Sequence, residues 1–127
     1  MQRRTFFKAL FGGAGAAMLS HRADTQDRTI LLQESRIAGF QYYRGDAIWP
    51  ILSAGKRLSL VRESFNEHDR EAVAVYFGND KLGFVPQTEN SSIAQMLDRG
   101  ERLEATISRV LNDTDPWERV RMSIFLV

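Results

Sequence analysis

The chain has 127 residues and a formal net charge of +1, a length that suits one domain with one modest core. It holds no cysteine, which excludes disulfides and thiolate metal sites, and only two histidines, too few to build a zinc site around. The charge is uneven: residues 1–23 hold four of the 17 basic residues and none of the 16 acidic ones, so residues 24–127 carry about −3, which excludes the broad basic footprint of a general nucleic-acid binder.

Residues 2–19 read QRRTFFKALFGGAGAAML. Two arginines precede a weakly apolar, Gly/Ala-rich stretch too short for a comfortable transmembrane helix, which needs about 20 apolar residues. The run Arg3-Arg4-Thr5-Phe6-Phe7-Lys8 resembles the bacterial twin-arginine export signal. Residues 1–23 are therefore set apart as a signal segment, 24–29 as a polar linker and 30–127 as the domain. The competing reading is an amphipathic helix packed on the domain. There is no clean Ala-x-Ala, so cleavage near Ala17 or after Ala23 and an uncleaved anchor stay open. The resemblance implies folding before export, engagement of the twin-arginine translocase through Arg3 and Arg4, and a periplasmic or inner-membrane-anchored product.

From Thr29 to Tyr43 the apolar residues predict one or two strands with a break around Gln33–Arg36. Gly45-Asp46 reads as a turn, and AIWPIL as a short helix with Pro50 in its first turn. Trp49, Ile51 and Leu52 would plug the base of the core. RLSLVRE alternates as a strand, and AVAVYF at 72–77 is the strongest strand, with Val73, Val75 and Phe77 on one face. Gly78-Asn79-Asp80 makes a hairpin turn, KLGFV returns antiparallel, and Pro86 ends that strand.

The period then changes. Ile93, Met96 and Leu97 share a helix face, with a capping box expected from Ser92 and Gln95 and a stop at Gly100. ERLEATISRVL alternates again, turning Leu103, Ala105 and Ile107 inward. A turn follows at Asp113-Thr114-Asp115-Pro116, with Trp117 packing it down. RVRMSIFLV closes the chain with Val120, Met122, Ile124 and Leu126 inward. About six short strands with one or two helices predict a mainly β fold, a small and partly open β-barrel.

Chemistry-bearing patterns are sparse. There is no Gly-x-Ser-x-Gly, no phosphate-loop Gly-x-x-x-x-Gly-Lys, and His68-Asp69 alone is not a metal site, so no enzyme activity and no cofactor are expected. Tyr42-Tyr43, if on a strand, would send one ring inward and leave the other to stack a base or a sugar, though both serve equally as ordinary strand aromatics. Asn66-Glu67-His68-Asp69 reads either as Asx-turn chemistry before a strand or as the rim of a site. Arg62-Glu63 reads as a solvated strand end.

Taken together, these pieces resemble the HIRAN domain. The pattern is Gly39, Tyr42, Tyr43 and Gly45; then Arg62-Glu63; then Asn66, His68, Asp69, Ala72, Val73 and Val75; then Leu82-Gly83-Phe84-Val85-Pro86 leading into a helix. The resemblance spans residues 30–127 and is nearest the short, stand-alone bacterial type. It implies an OB-like barrel that binds single-stranded nucleic acid at a 3′ end. Tyr42 would stack a base, Asp69 would accept a hydrogen bond from a free 3′-hydroxyl, Asn66 would orient the loop, His68 would supply a second ring and Phe84 would flank the pocket. The departures are Gln41 where a DNA-binding member can carry arginine, His68 in place of tyrosine, and Glu67 in place of proline. No ATPase or helicase motor is expected from this chain. Export and acidity leave a second reading open, an envelope protein- or glycan-interaction domain that has lost DNA binding.

Overall fold

The computed structural model describes residues 29–112 and 115–127. The Arg3-Arg4 segment, nearly all of the linker, and Asp113-Thr114 of the expected turn lie outside the described residues. Six strands form one antiparallel sheet: β1 (Ile30–Arg36), β2 (Arg57–Glu63), β3 (Ala72–Phe77), β4 (Asp80–Phe84), β5 (Leu103–Val110) and β6 (Val120–Leu126). Their order is β1-β6-β5-β2-β3-β4. The sheet is not closed, and the fold is mainly β and OB-like, as expected. Its two edges are β1 and β4. The chain leaving β1 meets β4 in an isolated bridge, Ala38 with Phe84, whose two hydrogen bonds are 2.8 and 2.9 Å long. Glu89, just beyond β4, accepts from Ser35 Oγ at 2.6 Å and so laces β1 to the same region.

The alternating residues do what their period requires. Leu58, Val73, Val75, Leu82, Ala105, Ile107, Val120, Met122 and Ile124 form the core with Ile37, Phe40, Leu52, Val85 and Ile93. Leu126 stays half-buried at the strand end. In β3, Ala72 and Ala74 are buried along with the valines, so this strand, one in from the β4 edge, is covered on both faces. The β3–β4 hairpin is tighter than the sequence implied: Phe77 pairs with Asp80, which leaves a two-residue turn, Gly78-Asn79.

Several local expectations are corrected. β1 runs unbroken through Gln33–Arg36. The segment after it is not a second strand but a 3-10 turn, Phe40–Tyr42, followed by a short helix α1 (Gly45–Ile48) and a second 3-10 turn, Trp49–Ile51. Gly45-Asp46 thus opens a helix rather than making a turn. Ile48 and Leu52 fill the core base while Ile51, at the end of the second 3-10 turn, is exposed. Trp117 is largely on the surface, whereas Trp49 is half-buried under the Arg119 guanidinium, 5.1 Å from its ring centre.

Helix α2 (Ser91–Asp98) starts two residues earlier than the capping box required. Asn90 is its N-cap without a side-chain cap bond, and Gln95 Nε2 donates to Ser91 Oγ at 3.2 Å instead. Its end follows the Schellman pattern, with Gly100 N–H donating to Leu97 O and Glu101 N–H to Met96 O, both at 3.0 Å. Arg62 is not a solvated strand end. It pairs with Asp98 on α2 at 3.0 Å and donates to Ala72 O at 3.1 Å, which fixes the helix to β2 and β3. No helix among the described residues is long and apolar enough to cross a membrane.

Candidate functional site

The site is built on the β4 edge. Gly83 has φ +148, and a Cβ there would collide with Ala38 O, so only glycine lets the Ala38–Phe84 bridge close. A Cβ on Gly45 would stand 2.6 Å from the Phe40 ring, so the ring packs directly on bare backbone. Phe40 is fully buried at 0% exposure. With Arg44 N–H donating to Lys81 O at 2.9 Å, these contacts tie the whole 38–45 segment to β4. The two tyrosines therefore sit on a clamped 3-10 turn, not on a strand, and both stay outside the core. The inward role expected of one tyrosine belongs to Phe40.

Tyr42 is 78% exposed. Tyr43 meets Phe84 edge-on, with ring centres 5.8 Å apart and planes inclined by 70°. Lys81 Nζ lies 4.4 Å from the centre of the Phe84 ring and 5.0 Å from that of Tyr43. The same ammonium donates to Glu63 Oε2 at 2.8 Å, reaching across β3 from β4 to β2. Ala72 pairs with Glu63 and Ala74 with Phe84, so small side chains on that face leave room for the crossing. Glu63 Oε1 accepts from Asn66 Nδ2 at 3.2 Å. Tyr43, Phe84, Lys81, Glu63 and Asn66 thus form one chain of contacts.

The Asn66–Asp69 loop is Asx chemistry in detail. Asn66 Oδ1 accepts from His68 N–H, and Asp69 Oδ1 accepts from Glu71 N–H, each at 2.9 Å. Asp69 Oδ2 accepts from Nδ2 of buried Asn90 at 2.7 Å. Both carboxylate oxygens already hold one partner each, with lone pairs to spare for a further donor. The His68 ring is exposed and makes no hydrogen bond among the described residues. Gln41 is half-buried, and its Oε1 is buried without a partner. The structure joins Phe84 to Asn66 through Lys81 and Glu63, sets Tyr42 beside Tyr43, and secures Asp69 to the entry of α2.

Lys81 and Phe65 were not singled out from sequence, and Glu63, read there as half of a solvated Arg62-Glu63 strand end, is buried. Phe65 is 80% exposed on the loop held by Asn66, whose N–H donates to Glu63 O at 3.1 Å. A large apolar ring left in water on an anchored loop is a signal sequence can show, since Phe65 falls outside the strand alternation. Among the described residues no group of three or more His, Asp or Glu could hold a metal ion.

The HIRAN domain family model matches residues 30–127. The chain belongs to the HIRAN domain family. No curated protein matches it. This HIRAN domain is similar to a Lactobacillus plantarum protein of known crystal structure, with 24% identity and a TM-score of 0.67 over 77% of this chain and 94% of that one. It is similar also to the HIRAN domain of human HLTF, with 16% identity and a TM-score of 0.56 over 80% of this chain and 82% of that one. At these identities the likenesses show the fold alone. The glycines at 45 and 83 are where a Cβ would strike the Phe40 ring and Ala38 O, and their bareness lets the tyrosine segment pack against itself and against β4.

Proposed function

We propose that this HIRAN domain is a non-catalytic module that binds single-stranded nucleic acid, with preference for a free 3′ end. The observation that carries the reading is Tyr42, an exposed ring on a clamped turn, beside the Tyr43–Phe84–Lys81 wall. A turn already fixed by the Ala38–Phe84 bridge loses little freedom when a base stacks on it. Stacking is tolerant of base identity and is worth about 1–3 kcal/mol per base. Asp69 keeps lone pairs for a 3′-hydroxyl, His68 offers a free ring, and Gln41, Asn66 and Phe84 complete the set of contacts carried over from the family pattern. Membership of the family supports the ligand class, while the acidity of residues 24–127 points to weak binding, on the order of micromolar or weaker.

Titration of the chain with short oligonucleotides ending in a 3′-hydroxyl or a 3′-phosphate tests this. The 3′-hydroxyl form binds better, and the affinity falls as salt is added. Equal binding to both ends removes end recognition, and no binding to either removes the nucleic-acid reading altogether.

The Arg3-Arg4 segment is the basis for a second part of the proposal, export through the twin-arginine route to the periplasm, released or anchored at the inner membrane. Its support is sequence alone.

A further inference from the structure

We propose that Lys81 is a phosphate-contacting residue of the site and that Glu63 competes with the ligand for it. This rests on the nucleic-acid reading for the source of the phosphate. Lys81 is anchored through its own carbonyl to Arg44 of the tyrosine turn, and its ammonium lies against the Tyr43 and Phe84 rings. It is the cation built into the aromatic wall, next to a turn on which Gln41 carries no charge.

An ammonium has three N–H donors, and Glu63 Oε2 takes one. The rings hold the ammonium by charge without occupying a donor directionally. The Lys81 side chain keeps 23% of its surface exposed against 12% for Glu63, so solvent and ligand reach the ammonium more easily than the carboxylate behind it.

A phosphodiester oxygen replaces a carboxylate oxygen at the ammonium, anion for anion. Glu63 keeps the hydrogen bond from Asn66 Nδ2 to its other oxygen, and loss of its ammonium partner is the penalty that the phosphate contact and the stacked base together must outweigh. In the free domain the pair is neutral, so the site shows no net positive charge to polyanions in general. A ligand must offer stacking and a phosphate together to displace Glu63. The pair therefore sets a threshold on what binds: bulk polyanions without an accessible base gain little, and unpaired strands gain both terms.

The test uses the full chain with three variants: Glu63→Gln, Lys81→Gln and the double variant. Glutamine at 63 keeps an acceptor for Asn66 and removes the competing charge. Oligonucleotide affinity is measured as a function of salt, and the Lys81 Nζ resonance is followed in 15N-lysine-labelled protein during titration with the oligonucleotide and, separately, with pyrophosphate. Circular dichroism establishes that each variant is folded. Glu63→Gln is expected to bind the oligonucleotide roughly fivefold tighter, with a salt slope steeper by about one. Lys81→Gln weakens binding, and the double variant loses the gain. In Glu63→Gln, pyrophosphate moves the Lys81 resonance.

Where the native chain binds the oligonucleotide, a folded Glu63→Gln that binds no tighter, or whose gain survives Lys81→Gln, overturns the proposal. So does a Lys81 resonance unmoved by both probes. If no protein binds the oligonucleotide yet pyrophosphate moves Lys81 more readily in Glu63→Gln than in the native chain, the phosphate contact stands and the nucleic-acid reading fails by itself.

Discussion

Asn90, buried at the entry of α2, donates its side-chain amide to Asp69 Oδ2 at 2.7 Å. The carboxylate expected to meet a 3′-hydroxyl is thus also the tie between the β2–β3 loop and the helix. The structural tie and the proposed recognition role fall on one group, and a variant there is expected to change both.

Asp69→Ala is therefore expected to lower stability by about 1–3 kcal/mol, because it leaves the Asn90 amide unsatisfied and frees the loop. Urea unfolding reads this directly. Asp69→Asn keeps an acceptor and should cost less. An Asp69→Ala domain as stable as the native one would contradict the tie.

Tyr42 and Phe40 should separate cleanly. Tyr42→Ala leaves stability within about 0.5 kcal/mol, since the ring is in solvent, while weakening oligonucleotide binding by about 1–3 kcal/mol. Phe40→Ala costs about 3–5 kcal/mol of stability, because it empties the space against Gly45. Paired unfolding and binding curves for the two variants check the contrast, which disappears if Tyr42 is structural.

Gly83→Ala is expected to be among the most damaging single changes. It combines backbone strain of about 1–3 kcal/mol with collision against Ala38 O, so the bridge to β4 cannot close. The readout is loss of slow hydrogen exchange at the Ala38 and Phe84 amides, measured beside global stability. Protected amides in a folded Gly83→Ala domain would show that the bridge does not depend on the glycine.

For export, replacing Arg3-Arg4 by two lysines should retain a tagged chain in the cytoplasm, as cell fractionation shows. Unchanged export sets aside the twin-arginine route.

Much of the sheet was legible because the core is made by period-two alternation. Val73, Val75, Ala105, Ile107, Met122 and Ile124 lie where the alternation put them. The tyrosine segment was not, because Phe40, Tyr42 and Tyr43 alternate acceptably as a strand, and only the close packing of Phe40 on Gly45 turns the chain into a 3-10 turn. The pairing of Lys81 with Glu63 escaped notice for a related reason. They lie 18 residues apart on strands that flank β3, and nothing local says that their side chains meet above two alanines. Asn66 and Asp69 were legible as turn formers, but the partnership with Asn90 depends on where α2 docks.

The Ala38–Phe84 bridge has a further consequence. It covers part of the outer margin of β4, the margin through which a neighbouring copy could add its own strand. The tyrosine turn hangs from that same stitch. Damage that lifts the turn would blunt recognition and, in the same event, leave a raw selvage open to self-association. Cover over that margin and the seating of the tyrosine turn therefore share one pair of backbone hydrogen bonds, and a variant that loses one is expected to lose the other.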